Sequence, residues 1–552
     1  MKIALAQPNV TVGDIEGNVK KILQFFSQAA KLDADVVVFP ELCISGYPPE
    51  DLLLKSHFIE DNHLALEQLA KDCADKDIIV CVGFAEKNPK GFFNSLAVLQ
   101  AGQIRKIYRK IILPNYGVFD EKRYFRTGNE PVIINIKGVN VILTICEDVW
   151  QPHWLSVLLK DSPRVDLIIN ASASPFHIGK IQQRHRILGS LAKYFDCTIA
   201  YCNLVGGQDE LVFDGRSMFL DHKGDVVSQA KAFAEDLITA DIEKSTGGKA
   251  DGKIRMEIVN SKRHASAAAP DDIEDIYHAL VLGTRDYALK NCFSKAIVAL
   301  SGGVDSAVTA AIAVDALGSE NVVGLTMPSQ FNSPQTIKDA AVVAENLDME
   351  FRTIPITPVL EGFSRTLAGV EGWVDKGIPY ENLQARVRGT ILMSLSNQFS
   401  YLVLTTGNKS EIAVGYSTLY GDTAGGFAAI KDVPKTVVYK LADFINKIHQ
   451  RQIIPKSVCE RPPSAELRHN QKDSDSLPEY DLLDKILKGY IEDDKSSKEL
   501  VEQGLPQDVV ERVIRMVDFN EYKRRQYPPG IKITPRAFGR DRRMPITNLY
   551  KR

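Results

Sequence analysis

KAIVALSGGVDSAVTAAIAVDAL, residues 295–317, reads as a strand, a turn and a helix in one run. KAIVAL is apolar almost throughout, as a strand covered on both faces is. AVTAAIAVDAL is rich in alanine and periodic enough for a helix. Between them SGGVDS places two glycines and small hydroxyls where backbone N–H groups gather at the positive end of a helix, a nest for phosphate. The run lacks both GxGxxG and the GxxxxGK that precedes Ser or Thr in a Walker loop, so cleavage between the β and γ phosphates is not implied. Working outward, VVGLTM, a helix from Ser333 to Leu347, FRTIPI and YLVLTTG continue the βαβ rhythm of a parallel nucleotide-binding sheet, and a helix over IEDIYHALVLGTRDYAL leads into it.

Upstream, KIALAQ, a helical pattern from Ile15 to Ala30, DVVVFPE, DIIVCVGF, SLAVLQ, VNVILTICED, DLIINASAS and TIAYCNLVGG alternate β-branched runs with amphipathic segments. Many of these strands are apolar on both faces, which favours sheets flanked by helices over a half-exposed barrel. A final hairpin, FDGRSMFLDHKGDVVSQA, turns at Lys223-Gly224. From Ile242 to Pro270 the composition turns polar and Gly/Lys-rich, then rich in small residues. The expected division is a first domain over 1–245, a linker over 246–270 and a second domain over 271–552.

A chain of 552 residues is too long for one core. Its formal charge of -3 gives no global reason to expect nucleic acid or an anionic membrane as partner. No stretch reaches about 18 uncharged apolar residues and the first residues do not read as a secretory signal, so a cytoplasmic location is expected. Eight cysteines with no CxxC pair indicate neither a disulfide framework nor a zinc knuckle.

Three residues stand where strands run out into loops: Glu41 after VVVFP, Lys110 before IILP, and Cys146 after VILTI, flanked by Glu147 and Asp148. A thiol attacking an amide carbonyl needs a base, a cation to steady the oxyanion, and backbone donors. Glu, Lys and Cys supply that set without histidine. The words FPEL, GYPPEDLL, YRKIILPNYGVFDEKRYF and ILTICEDVW resemble the nitrilase (carbon–nitrogen hydrolase) superfamily over about the first 240 residues, in its glutaminase branch. That resemblance implies an αββα sandwich in which Glu41 is the general base, Lys110 the oxyanion and positioning cation, Cys146 the nucleophile, and Glu121 a carboxylate orienting the lysine. It also implies Tyr116, Ser174 and Lys180 as binders of the glutamine backbone groups, although Ser174 also reads as a helix cap and Lys180 as a solvated lysine.

SGGVDS resembles the loop of the N-type ATP pyrophosphatases, which cleave between the α and β phosphates. ENLQARVRG, LTTGNKSEIAVGYSTLYGD, SVCERPPSAEL and SDSLPEYDLLD narrow the resemblance to NAD synthetases, over essentially the whole second half. It implies the parallel-sheet adenine-nucleotide α-hydrolase (ATP pyrophosphatase) fold and a carbon–nitrogen ligase taking glutamine, ATP and deamido-NAD. Ser301, Gly302, Gly303 and Ser306 then cradle pyrophosphate and Thr406 touches ATP. Asp305 and Glu411 match the family's Mg²⁺ ligands, and Lys435 meets polyphosphate charge. Asn382, Arg386, Glu411 and Lys523 face deamido-NAD. Arg386 and Arg388 are two residues apart, so at least one of them also reads as a surface charge.

At MPSQFNS, residues 327–333, the chain has Phe331-Asn332-Ser333 where that family commonly has Tyr-Ser-Ser. The tail EYKRRQYPPGIKITPRAFGRDRRMPITN is basic with interleaved aromatics; in a dinucleotide enzyme it is expected to close over substrate phosphates, the alternative being a solvated tail. Free ammonia is mostly protonated in neutral water, so a glutamine-driven enzyme needs a water-poor route, and the family resemblance adds a homo-oligomer. Two other readings stand beside this one: an ammonia-dependent synthetase with a vestigial amidase domain, and a nucleotide-binding regulatory module using the basic tail.

Overall fold

Period-two alternation sorts the first unit into layers. In the computed structural model, which describes residues 1–160, 162–246, 254–261 and 272–550, the chain divides into units Met1–Ala269 and Pro270–Arg552. A seven-stranded sheet of the first unit runs in the order Ile254–Ser261, Asp236–Thr246, Lys2–Gln7, Val36–Val38, Ile79–Asn88, Gly91–Gln100, Gln103–Arg109. A six-stranded sheet runs Val226–Gln229, Met218–Leu220, Thr198–Asn203, Leu167–Ser172, Val139–Ile145, Ile133–Ile136. Ile3, Leu5, Val36 and Val38 of the first sheet share one core with Val141, Leu143, Ile145, Leu167 and Ile169 of the second. Their neighbours Ala4, Ala6 and Val37 pack instead with Phe25, Phe26, Leu66 and Leu69 of the helices Ile15–Lys31 and Ser56–Asp72. Ile142, Ile168 and Ile199 meet Leu188, Leu191 and Ala192 of the helix Lys180–Phe195. The result is the expected helix, sheet, sheet, helix sandwich.

The hairpin at Lys223-Gly224 pairs Met218–Leu220 with Val226–Gln229 antiparallel. Much of the expected linker, residues 247–253 and 262–270, lies outside the described residues. Within it Ile254–Ser261 is a strand, paired antiparallel with Asp236–Thr246 at the edge of the larger sheet. Met256 is buried in the core between the sheets and Ile258 packs beside it, a spacing of two that the polar surroundings mask in the sequence.

The second unit has a four-stranded parallel sheet in the order Glu350–Thr353, Val322–Thr326, Ala296–Ala299, Leu402–Leu404. Helices cover both faces, which is why KAIVAL and VVGLTM are apolar throughout. Ile297, Val323 and Val403 pack with Leu360, Val387 and Leu392 of two helices, Thr357–Leu367 and Gly377–Phe399. The helices Asp272–Lys290, Val304–Leu317 and Lys435–Ile448 pack on one another. No described helix is long and apolar enough to cross a membrane.

The basic tail is not a solvated one, because several of its cations are engaged by acids of the same unit. Lys532 pairs with Asp541 at 2.8 Å, Arg542 and Arg524 with Glu521 at 3.0 and 2.9 Å. Asp432 accepts the backbone N–H groups of Ile533 and Thr534 at 2.8 and 2.7 Å. The fully covered Lys409 donates to Thr534 Oγ1, Arg536 O and Glu492. Those bonds seat residues 531–536 against the segment that carries Glu411.

Candidate active sites

In the first unit, the ends of parallel strands converge. Glu41 follows Val36–Val38, Cys146 follows Val139–Ile145, and Ala173 and Ser174 follow Leu167–Ser172. Lys110 follows the antiparallel strand Gln103–Arg109. Gly83 fixes how closely the Glu41 peptide lies on the sheet: a Cβ there would stand 2.4 Å from Pro40 O and Leu42 N.

Lys110 Nζ donates to Glu41 Oε1 at 2.6 Å and to Glu121 Oε1 at 2.8 Å, and all three side chains are buried. Glu41 also accepts from Asn94 Nδ2 at 2.7 Å and from the N–H of Ala173 at 2.9 Å. Glu121 accepts from Tyr47 OH at 2.9 Å. Burial opposes the charge of Lys110, but Glu121 and Glu41 outweigh it and raise its pKa. Burial also raises Glu121, against the pull of Lys110.

Cys146 opens a short 3₁₀ turn over Cys146–Val149, with φ of +41°, a conformation that costs energy for a side-chain-bearing residue and recurs at reactive corners. It is buried within electrostatic reach of Glu41, Lys110, Glu147 and Glu121. Burial first, then Glu41, holds its thiol well above the ordinary range, with Lys110 pulling the other way. At rest Cys146 is therefore a thiol and not a free thiolate. Asp148 braces the corner: Oδ1 accepts the N–H groups of Ile111 and Ile112, and Oδ2 accepts Ile145 N–H and Tyr108 OH, each at 2.8–3.2 Å. One carboxylate thus ties the segment after Lys110 to the segment before Cys146.

Around the rim, Tyr116 OH donates to Glu147 at 3.0 Å. Lys180 Nζ lies 3.8 Å from the Trp150 ring centre, and burial followed by the neighbouring Arg184 lowers it to about 8. It is not a solvated lysine. Ser174 is not the helix cap, which is Gly179; its carbonyl and hydroxyl both face Arg184, itself paired with Asp214 at 2.8 Å. Asn94 and Tyr47 were not singled out by sequence. Asp148 and Glu147 adjoin Cys146 and were visible there, whereas Asn94 comes from a strand with nothing to mark it.

In the second unit, a cavity of about 280 Å³ is lined by Ser301 to Ser306, Thr406, Glu411 and Lys435. The loop closes on its own hydroxyls: Ser306 Oγ donates to Gly303 O at 2.9 Å, and Gly303 N donates to Ser301 Oγ at 3.3 Å. Gly302 has φ of +83° and a Cβ there would stand 2.2 Å from Thr336 O. Lys435 Nζ sits between two carboxylates, in close contact with Asp305 and 3.3 Å from Glu411. Burial opposes its charge, yet Asp305 and Glu411 raise its pKa. Burial raises Glu411, and the charges of Asp305 and Asp473 add to that against Lys435.

Asn382, Arg386 and Lys523 are not among the cavity-lining residues. They converge on one neighbouring loop: Asn382 Oδ1 accepts from Thr418 Oγ1 at 2.7 Å, Arg386 Nε donates to Leu419 O at 3.2 Å, and Lys523 Nζ donates to Gly415 O and Ser417 O at 2.7 and 2.9 Å. Arg388, two residues on and on the opposite side of the same helix, does line the cavity. At the departure from the family pattern, Asn332 Oδ1 accepts from Arg388 Nη2 and its Nδ2 donates to Glu466, at 3.1 and 3.0 Å.

A sandwich with a Glu–Lys–Cys corner and a parallel sheet with a phosphate loop define an amidase joined to a nucleotide-dependent ligase. Residues 2–250 match the carbon-nitrogen hydrolase model and residues 276–527 the NAD synthase model. The chain belongs to the glutamine-dependent NAD(+) synthetase family. Relatives of that name from Thermotoga maritima and Aquifex aeolicus are 44% and 46% identical over 100% of this chain and 99% and 100% of theirs. Among solved structures, the glutamine-dependent NAD+ synthetase of Acinetobacter baumannii in complex with ADP is 42% identical, with a TM-score of 0.77 over 99% of this chain and 98% of that one. The enzyme of Cytophaga hutchinsonii shares the fold at 24% identity, with a TM-score of 0.83 over 100% and 98%.

Proposed function

We propose that the chain makes NAD from deamido-NAD, ATP and glutamine, releasing AMP, pyrophosphate and glutamate. The observation that carries this reading is that one chain holds both a complete Glu41, Lys110 and Cys146 set and an acid-lined phosphate loop. Cys146 Sγ attacks the glutamine amide carbon as Glu41 takes the thiol proton, Lys110 steadies the oxyanion, and the proton returns to the leaving nitrogen as ammonia departs. Water activated by Glu41 then hydrolyses the thioester to glutamate. In the second unit the nicotinate carboxylate attacks the α-phosphorus of ATP and expels pyrophosphate. Ammonia then displaces AMP from the acyl carbon.

Ser301 to Ser306 receive phosphate oxygens at the start of the helix Val304–Leu317, and Thr406 lies beside them. Asn382, Arg386, Lys523 and Glu411 are assigned to deamido-NAD. Asp305 and Glu411 fit Mg²⁺, since two hard carboxylates completed by substrate phosphates are what that ion takes. Bound there, it would supply positive charge to neutralise the phosphates. Lys435 already balances these carboxylates and is placed to share them with the polyphosphate. The reading includes a cytoplasmic location and a homo-oligomer.

The test is product stoichiometry with the purified chain. AMP and pyrophosphate should form only when deamido-NAD is supplied, one of each per NAD, and either product without deamido-NAD would contradict the assignment.

Tyr116, Ser174 and Lys180, with Glu147, are assigned to the glutamine backbone groups: the carboxylate meets Lys180 and the ammonium meets Glu147. With its pKa lowered to about 8, Lys180 is charged below that pH and neutral above it. The KM for glutamine should therefore rise as pH passes through about 8, with kcat less affected, and Lys180→Met should give a high KM with no such step. A flat wild-type KM from pH 7 to 9 would remove Lys180 from the carboxylate site.

A further inference from the structure

Three guanidinium or ammonium groups line the cavity of the second unit: Arg388, Lys435 and Arg461. Two of them are already matched by acids. Lys435 is held between Asp305 and Glu411, and Arg461 is in close contact with Asp339 while donating to Gly302 O at 3.2 Å. Arg388 differs. Its Nε donates to Met327 O at 3.0 Å and its Nη2 to Asn332 Oδ1 at 3.1 Å, so its bonds are to neutral oxygens. No carboxylate lies within ion-pair distance of it among the described residues, and Glu466 acts on it only at longer range.

Such an arrangement costs the empty protein, since a half-buried cation with no paired acid loses part of its hydration without a matching charge. Burial lowers Arg388 to about 10. The surroundings nonetheless fix its direction. Gln384, on the same helix, accepts from Ser329 Oγ at 3.2 Å, and Ser329 N donates to Asn332 Oδ1 at 2.8 Å, so the segment Met327–Asn332 is locked to the helix that carries the guanidinium. Asn332 in turn donates to Glu466, which also accepts from Thr336 Oγ1 at 2.9 Å, beside Gly302. A planar fork aimed from a rigid helix into a cavity shared with a phosphate loop has the geometry for bidentate capture of phosphate oxygens.

We propose that Arg388 is the anion-receiving residue of this cavity, binding phosphate oxygens of a nucleotide substrate, and that Asn332 positions it. The inference rests on the reading that ATP occupies the SGGVDS loop. The phosphate oxygens come either from the triphosphate of ATP or from the diphosphate of deamido-NAD.

The experiment compares full-length wild type with Arg388→Met, Arg388→Lys and Asn332→Ala. Thermal unfolding is followed without ligand and with ATP alone, deamido-NAD alone or inorganic pyrophosphate, alongside KM and kcat for ammonia-driven NAD formation. A ligand-receiving role predicts that Arg388→Met melts no lower than wild type when empty, because it removes an unpaired cation. It also predicts that this variant loses most of the stabilisation by one nucleotide and raises that nucleotide's KM roughly ten- to a hundredfold. Arg388→Lys should recover part of the loss, and Asn332→Ala should raise the same KM severalfold. Loss with ATP and pyrophosphate assigns the triphosphate; loss with deamido-NAD alone assigns the diphosphate. A lowered melting point of empty Arg388→Met with unchanged KM values for both nucleotides would make Arg388 a structural residue and overturn the proposal. If ATP fails to stabilise wild type itself, the failure lies with the ATP assignment of the loop.

Discussion

Cys146→Ala should lower NAD formation from glutamine by at least ~10⁴-fold while ammonia-driven synthesis stays within about twofold of wild type. The sulfur is the only atom exchanged, and it is the one that would form the acyl bond. Glu41, Lys110 and Glu121 are held by Asn94, Tyr47 and the Ala173 N–H, none of which depends on the sulfur. The corner itself is braced by Asp148, so alanine at φ of +41° keeps the backbone in place. NAD is measured at saturating ATP and deamido-NAD with glutamine or ammonium chloride as nitrogen source. A comparable loss in both would show that the thiol serves more than glutamine hydrolysis.

Asp305→Ala or Glu411→Ala should do the opposite, lowering both routes by roughly 10³-fold while glutamine hydrolysis continues. Each substitution removes a carboxylate assigned to Mg²⁺ and, in the same stroke, one of the two acids around Lys435, leaving a covered ammonium with half its partners. Asp305 also accepts from Asn408 at 2.9 Å, and Asn408 caps the helix that bears Glu411, so the two carboxylates are coupled through one amide. Pyrophosphate release from ATP with ammonia as donor is the readout. A wild-type rate in either variant would remove that carboxylate from the adenylation step.

How legible these sites were depended on the kind of signal. KAIVAL followed by SGGVDS could be read as strand, phosphate turn and helix because apolar runs, glycines and alanines act locally, and Ala296–Ala299 and Val304–Leu317 form as read. The strand ends bearing Glu41, Lys110 and Cys146 could be read for the same reason. Ile254–Ser261 was hidden because its apolar positions are few and its neighbours polar, while its strand character comes from pairing with a distant segment. Asn94, Asp148 and Arg388 were hidden or undecided because their meaning lies in partners 27 to 61 residues away: Glu41 and Glu121 for the first, Ile111 and Ile112 for the second, Met327 and Asn332 for the third. The basic tail was legible only as charge, since a count of arginines cannot say that Glu521, Asp541 and Asp432 hold much of that segment in place.

The protonated, enclosed state of Cys146 bears on how the protein ages. Peroxides and alkylating agents react with thiolates that they can reach. At rest this sulfur is 3% exposed and held as a thiol by its burial and by the charge of Glu41. Cys292, which is exposed, is the more accessible target. On the reading that Glu41 takes the Cys146 proton during glutamine hydrolysis, peroxide should inactivate the amidase faster during turnover than in storage, so its working life would be counted in turnovers and not in hours of exposure to oxidant.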